Sequence, residues 1–177
     1  MDIETYFTQG GPVTLEQMLL AREKRVERQQ WLIEKWGKPV VSLTMVIPGP
    51  VKKSRGAEII FNAAQEAFKD CCHQQGWTVL ECEKHADLTG YEAQMAVDME
   101  DAGMLKRELL TLEENHALGR LWDFDVLGND GSVSRGDLGL PPRRCLVCGD
   151  MAHACARAKK HTLEELYGAM EFIIKSL

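Results

Sequence analysis

Two aspartates separated by one residue, Asp123 and Asp125, lie in the segment GRLWDFDVL. The apolar residues that alternate with them, Trp122, Phe124 and Val126, predict a strand with one buried face. Successive side chains of a strand point to opposite faces, so both carboxylates share the other face, about 6–7 Å apart at the backbone. Two carboxylates this close repel each other, and a bound Mg²⁺, which prefers oxygen ligands, relieves the repulsion.

A magnesium ion held there could bridge phosphate oxygens and neutralise the charge that develops during phosphoryl or nucleotidyl transfer. Asp-x-Asp is a short pattern, and the alternative is an exposed strand face with two solvated acids near Arg120 or Arg135. His116, which precedes the strand, could hydrogen-bond a substrate, act as a base, or be a structural histidine.

A basic segment follows the aspartates. Residues 131–161 carry six Lys or Arg against two Asp or Glu, whereas the rest of the chain carries 15 against 25. The net charge of −6 argues against a general nucleic-acid binder, and a local basic segment fits a small polyanion better than a long duplex. The alternative is a solvated charged loop.

Four residues of this segment have side chains that bind zinc: Cys145, Cys148, Cys155 and His161. Three thiols and an imidazole could form a four-coordinate site, although only the first pair has a common zinc spacing. The alternative is that the thiols are small buried hydrophobes around a tight turn. Redox catalysis is not favoured, because the Cys-x-x-Cys follows a proline loop and does not open a helix after a strand.

The patterning around these residues predicts the elements that must position them. A helix with a capping box is expected from Thr14 to Trp36, a buried strand over 40–47 and a helix over 52–73. WTVLECE and YEAQMAVDM are predicted as strands with KHADLTG as the linking turn, and DAGMLKRELLTLEENH as a helix. The strand with the aspartates and the turn GNDGS then follow.

This β-α-β-β-α-β order predicts an α+β fold, in which an antiparallel sheet forms a ferredoxin-like core behind an N-terminal helix. We expect a single domain over 1–177, with its core at about 38–130. The C-terminal extension, 131–177, is predicted to hold an Arg/Cys loop and helices, one of them capped at Thr162 and apolar on one face at Leu163, Leu166, Met170, Ile173 and Leu177.

The first predicted helix carries an apolar stripe at helical spacing, formed by Leu15, Met18, Leu19, Val26 and Ile33. Three arginines lie beside the stripe, and they could pair with Glu23 or Glu27 in solvent or contact a ligand: Arg22, Arg25 and Arg28.

The sequence also predicts where the protein resides. No apolar run reaches the roughly 18–20 residues that span a bilayer, so no membrane segment is expected. The first residues, MDIETYFTQGG, are acidic and polar and do not form a signal peptide. Six cysteines without an export signal predict reduced thiols in the cytoplasm.

Three segments, GRLWDFDVL, SRGDLGLPPRRCLVC and CARAKKHTLEEL, together resemble the apo-citrate lyase phosphoribosyl-dephospho-CoA transferases, also called holo-citrate lyase synthases. LLAREKRVERQQ and VVSLTMVIPGPVK fit as well, so the resemblance covers nearly the whole chain. It implies that the donor is triphosphoribosyl-dephospho-CoA. Its prosthetic group would be joined by a phosphodiester to a serine of the acyl carrier subunit of apo-citrate lyase, and pyrophosphate would leave.

In such an enzyme Asp123 and Asp125 would hold Mg²⁺ against the donor phosphates. Forked guanidinium donors would bind phosphate oxygens and stabilise the departing pyrophosphate, and the candidates are Arg120, Arg135, Arg143 and Arg144. Lys52, near a helix start, and Arg22 could add anion contacts. Part of the basic segment could dock the carrier, because acyl carrier proteins tend to be acidic. Two rival functions are another Mg²⁺-dependent nucleotidyltransferase, for instance one that uses ATP, and a zinc-stabilised adaptor that binds the carrier without chemistry.

Overall fold

A computed structural model of the protein describes residues 4–176. Its elements, in chain order, are α1 (Glu4–Thr8), α2 (Leu15–Trp36), β1 (Val40–Met45), α3 (Arg55–Gln75), β2 (Val79–Asp87), β3 (Gly90–Val97), α4 (Ala102–Asn115), β4 (Trp122–Gly128), β5 (Gly131–Val133), α5 (Ala152–Ala158) and α6 (Leu163–Lys175). A short 3₁₀ turn, Gly119–Leu121, leads into β4.

The five strands form one sheet in the order β2-β3-β1-β4-β5, and every neighbouring pair is antiparallel. Strand β1 lies between β3 and β4, which α4 connects, and this is the split arrangement expected of a ferredoxin-like core. The predicted α+β fold is therefore confirmed. The short strand β5 was not predicted; it adds to the outer edge of β4 through a two-residue turn.

One face of the sheet carries the hydrophobic core. Trp122, Phe124 and Val126 of β4 are fully buried there, as their alternation predicts, together with Val41 and Leu43 of β1. Helices α3 and α4 cover this face with their own apolar sides. Burial of this apolar surface is the main stabilising contribution to the fold.

The opposite face is polar around the centre of the sheet, and α2 crosses it. Leu32 of α2 packs against Val40 and Ala96 at one end of the helix. Near the middle of α2, Arg25 and Arg28 pair with the buried Glu92 of β3. The helix thus lies on the sheet through a small apolar contact and a set of charged contacts, and its N-terminal half projects beyond them.

The apolar stripe predicted on α2 is only partly buried. Leu15 is 76% exposed, and Leu19 and Val26 are each about half exposed. The reason is that α2 faces polar residues of the sheet, so Gln29 and Leu32 supply its buried side chains. Helix α6 follows the prediction more closely, because Met170 is fully buried, whereas Leu163 is largely exposed and Leu177 lies outside the described residues.

Two further boundaries differ from the sequence prediction. Strand β2 continues through most of the predicted turn KHADLTG to Asp87, and the turn itself is the pair Leu88-Thr89 before Gly90. Helix α1 was not predicted; its Phe7 stacks on Tyr167 of α6 with ring centroids 5.7 Å apart. Within residues 4–176, no helix combines the length and the apolar character needed to cross a membrane.

Candidate active site and metal centre

A cavity of about 790 Å³ lies over the polar face of the sheet. Its walls come from the N-terminal half of α2, the end of β1 and the loop after it, β4, and the C-terminal extension. Four of the residues singled out from the sequence as substrate or magnesium ligands line it: Asp123, Asp125, Arg22 and Lys52. Residues that are more than 100 positions apart in the chain therefore line the same cavity.

Asp123 and Asp125 lie on the cavity side of β4, opposite Thr44 and Ser42 of β1. Asp123 approaches a guanidinium nitrogen of Arg143 at 3.8 Å. Asp125 makes no hydrogen bond or ion pair with any residue in the described range 4–176. Its carboxylate faces the cavity, whose walls reduce its contact with bulk water. This desolvation, together with repulsion from Asp123, raises the pKa of Asp125.

These observations test whether the pair suits a cation. Asp125 has a raised pKa and no hydrogen-bond or ion-pair partner, and it lies next to a second carboxylate, so the negative charge of the pair is only partly compensated. Oxygen atoms of this kind are the ligands that Mg²⁺ prefers. The residues present therefore fit a magnesium ion.

Cationic side chains line the same cavity. Lys52 Nζ donates to the carbonyl oxygen of Ile47 at 2.5 Å, and burial, with repulsion from Arg22, lowers the pKa of Lys52. Arg25 Nε donates to Glu92 Oε2 at 2.7 Å while its guanidinium group also feels the charges of Asp123 and Asp125. The cavity therefore has a carboxylate wall on the sheet and cationic groups above it.

The sequence prediction left a ligand contact by Arg25 open and did not assign Glu92 to the site. Glu92 is buried on β3, in register with Thr44 of β1, and Thr44 is in turn in register with Asp123. The signal that could have found them is polar patterning: Glu92 alternates with apolar residues on an otherwise buried strand, and Arg25 lies one helical turn after Arg22.

The four arginines predicted to bind the donor phosphates lie elsewhere. Arg120, Arg135, Arg143 and Arg144 line a second cavity of about 200 Å³, which they share with Glu113 and Glu114. Glu113 pairs with Arg143 at 2.7 Å and with Arg135 at 3.3 Å. Arg143 is the link between the two cavities, since its guanidinium group is also close to Asp123.

His116 lies outside both cavities. Its Nδ1 accepts a hydrogen bond from the backbone N–H of Leu118 at 3.0 Å, and its ring centroid is 4.4 Å from that of Trp122. Burial lowers the pKa of His116, which favours the neutral ring that this hydrogen bond requires. The geometry is that of a structural histidine that holds the turn before β4.

Cys145, Cys148, Cys155 and His161 come together in the C-terminal extension. Their ligand atoms all lie within 4.8 Å of one another. Cys148 Sγ is 3.5 Å from Cys155 Sγ and 3.3 Å from His161 Nε2. The chain turns back after the first pair at Gly149, whose φ of +74° favours glycine.

Backbone N–H groups favour the thiolate form of two of the three cysteines. Burial raises the pKa of Cys145, but N–H groups of Cys148 and Val147 outweigh it, so the pKa is lowered overall. The N–H of Asp150 lowers the pKa of Cys148. Burial and the neighbouring thiols raise the pKa of Cys155 to about 12. Three sulfurs and one imidazole nitrogen at these distances fit a tetrahedral metal ion such as zinc.

The cysteine and histidine cluster and the large cavity are contiguous, because Cys145, Cys155 and His161 also line the cavity. A bound ion would therefore tie together a loop and a helix that form one wall of the site.

Comparison with known proteins gives a consistent result. Residues 13–177 match the family model described as apo-citrate lyase phosphoribosyl-dephospho-CoA transferase. A protein of that name from Escherichia coli is 39% identical to this chain over 93% of the chain and 90% of the relative. A protein of the same name from Shigella boydii is 38% identical over the same shares.

Proposed function

The chain belongs to the apo-citrate lyase phosphoribosyl-dephospho-CoA transferase family, and from this premise we propose that it transfers the phosphoribosyl-dephospho-CoA group to apo-citrate lyase. The acceptor is a serine of the acyl carrier subunit, and the donor is triphosphoribosyl-dephospho-CoA. The serine oxygen forms a bond to the first phosphorus of the triphosphate, the bond from that phosphorus to the bridging oxygen breaks, and pyrophosphate leaves with release of the serine proton.

The observation that carries this proposal is the placement of Asp123 and Asp125 in a large cavity with Arg22, Arg25 and Lys52. When Mg²⁺ is bound by the two carboxylates, it supplies neutralisation of phosphate charge. The side chains of α2 and Lys52 then orient the anionic donor from the opposite side. No nucleophile is required in this chain, because the attacking hydroxyl belongs to the carrier.

The second cavity, which we call the arginine cavity, also has a role in this proposal. Arg120, Arg135, Arg143 and Arg144 together carry more positive charge than Glu113 and Glu114 balance. Arg143 connects this excess to Asp123. We assign the cavity to the departing pyrophosphate, so that cleavage moves negative charge from the magnesium site towards the guanidinium groups.

We also propose that the cluster of Cys145, Cys148, Cys155 and His161 holds a zinc ion with a structural role. All four positions of the tetrahedron are taken by protein groups, which is the pattern of structural sites. Elemental analysis of the purified protein should find one zinc per chain. Protein that contains zinc but does not transfer the group would instead favour the adaptor that binds the carrier without chemistry.

The transfer itself is tested by the intact mass of the apo carrier. After incubation with this protein, the donor and Mg²⁺, the carrier should gain the mass of the prosthetic group. ATP in place of the donor should leave the carrier mass unchanged, and a nucleotide adduct from ATP would support the other nucleotidyltransferase.

The aspartates are tested in the same assay. Asp123→Asn and Asp125→Asn should each lower the transfer rate by about 10²-fold or more, because they remove charge that faces the reacting phosphates. Asp70→Asn, on the exposed side of α3, is the matched control and should keep the wild-type rate. Near wild-type transfer by either site variant would show that the pair is not the magnesium site.

A further inference from the structure

The outer edge of β4 is open where it carries the two aspartates. Strand β5 pairs with Val126, Leu127 and Gly128 of β4 and does not reach further back. The main chain between Asp123 and Asp125 therefore has no strand partner on that side within the described chain. Phe124, between the aspartates, would be left with a buried N–H and a buried C=O, each costing about 1–3 kcal/mol if unpaired.

Two charged side chains of α4 occupy the place of the missing strand. Glu113 Oε1 accepts a hydrogen bond from the N–H of Phe124 at 2.9 Å. Lys106 Nζ donates to the C=O of Phe124 at 2.5 Å. Glu113 and Lys106 are seven residues apart, which is about two helical turns, so both project from the same side of α4.

Both charged groups are buried, with relative exposures of 2% for Glu113 and 5% for Lys106. Their neighbours on α4, Leu105 and Leu109, show that apolar side chains fill the rest of this surface. Burying a charge is costly unless it is paired and hydrogen-bonded. Packing of α4 alone therefore does not account for a lysine and a glutamate that converge on one backbone residue.

Glu113 extends this contact to the arginine cavity. Its Oε2 pairs with Arg143, which also donates to the C=O of Trp122 at 2.8 Å and lies near Asp123. Trp122 and Phe124, the residues on either side of Asp123, are thus both held by side chains at their outer edge. The strand segment with the aspartate pair is held on its inner edge by β1 and on its outer edge by Lys106, Glu113 and Arg143.

We propose that Lys106 and Glu113 are positioning residues for group transfer: they hold the peptide groups on both sides of Phe124 and thereby set the directions of Asp123 and Asp125. This inference rests on the proposed function of the aspartates. It assigns a role to two side chains that do not line the large cavity.

The test compares kcat and KM in the carrier assay. Lys106→Met and Glu113→Ala should lower kcat by roughly 10- to 100-fold, because small misplacement of reacting groups is expensive. The KM for the donor should change less than about 3-fold in Lys106→Met, since Lys106 does not pair with any group assigned to the donor. Glu113→Ala also removes the ion-pair partner of Arg143 and Arg135, so the KM criterion applies to Lys106→Met. Glu113→Gln keeps an acceptor for the Phe124 N–H and should retain more activity than Glu113→Ala.

Hydrogen exchange at the Phe124 amide supplies a second readout. Its protection should fall in Glu113→Ala and be largely kept in Glu113→Gln. Glu108→Gln is the matched control, because Glu108 is on the same helix, accepts a hydrogen bond from Gln75 of α3 and lines neither cavity. That control should keep both kcat and the protection of Phe124.

The outcomes separate this inference from the proposed function. If wild-type protein modifies the carrier and Asp123→Asn does not, but the Glu113 variants keep wild-type kcat, the positioning role is overturned and the transferase function stands. If wild-type protein with Mg²⁺ and donor leaves the carrier unmodified, the proposed function fails and this inference fails with it. Should Lys106→Met fail to fold, the Glu113→Ala and Glu113→Gln pair still decides.

Discussion

At the scale of single residues, the site is built from charges that the fold itself does not fully balance. Asp125 has a raised pKa because the cavity walls and Asp123 disfavour its ionised form. Arg25 and Lys52 have lowered pKa values because burial disfavours theirs. Burial of a charged group is costly unless the charge is fully paired, and a magnesium ion or a polyphosphate of opposite charge would relieve that cost.

Asp125→Asn should therefore lower the transfer activity and raise the stability of the folded protein. The folded-state pKa of Asp125 is above its unfolded value, so ionisation destabilises the folded protein at pH values above both. The variant should raise Tm at neutral pH, and the gain should disappear as the pH falls below both pKa values. Thermal unfolding across a pH series measures this, with Asp70→Asn as the control. A lower Tm at neutral pH would contradict it.

Arg25 and Arg28 provide a matched pair, since both bind Glu92 but Arg25 lines the cavity and Arg28 does not. Arg25→Gln should raise the donor KM by about tenfold. A hydrogen bond to a charged group contributes about 1.5–3 kcal/mol, and solvent in the cavity screens part of this contribution. Arg28→Gln should lower stability through the loss of Glu92 and Gln94 contacts and leave KM unchanged. Equal KM values in both variants would remove Arg25 from the donor site.

At the scale of elements, α4 and β4 act as one unit. The 3₁₀ turn that joins them places Gly119 against the end of α4, where an added Cβ would lie 2.4 Å from the carbonyl oxygen of Glu113. This close approach holds the segment that carries Glu113 against the strand with the aspartates. The path of the chain between helix and strand thus contributes to the geometry of the site.

Gly119→Ala should consequently destabilise the protein by about 1–3 kcal/mol, because backbone atoms must shift to admit the methyl group. The shift should also lower the transfer rate, since it displaces Glu113. Gly136→Ala is the control; the nearest contact of its added Cβ would be Ser134 Oγ at 3.6 Å, an ordinary van der Waals distance. Chemical denaturation measures the stability of both, and an unchanged midpoint for Gly119→Ala would be inconsistent with this account.

At the scale of the whole molecule, the large cavity exists because the C-terminal extension folds back over the sheet. Tyr167 of α6 donates to the C=O of Pro48 at 3.1 Å and packs on Phe7, which ties the extension to the first helix and to the loop after β1. In the chain, the cysteine and histidine cluster lies between Arg144 and Tyr167. A metal ion bound there would cross-link one wall of the cavity.

Removal of the proposed zinc ion should lower Tm and raise the donor KM, because the wall formed by Cys145, Cys155 and His161 loses its cross-link. Cys148→Ser should have the same effect and should lower the zinc content. Cys82→Ser, at an exposed cysteine on β2 outside the cluster, is the control. A chelated protein with unchanged Tm and KM would show that the cluster does not support the wall.

The sequence by itself determined the local features. Capping boxes at Thr14 and Thr162, the alternating faces of β4 and the order of the core elements all agree with the structure, because caps and strand alternation depend on residues a few positions apart. The zinc-type ligands were found by side-chain type and order alone.

Only the tertiary structure decided which charges meet. Arg25 and Glu92 are 67 residues apart, and Arg143 and Glu113 are 30 apart, so their pairing depends on sheet register and on how α2 and α4 lie over the sheet. The arginines predicted to bind the donor phosphates line a second cavity for the same reason. Long-range contacts of this kind follow from the packing of whole elements, which no local pattern of residues encodes.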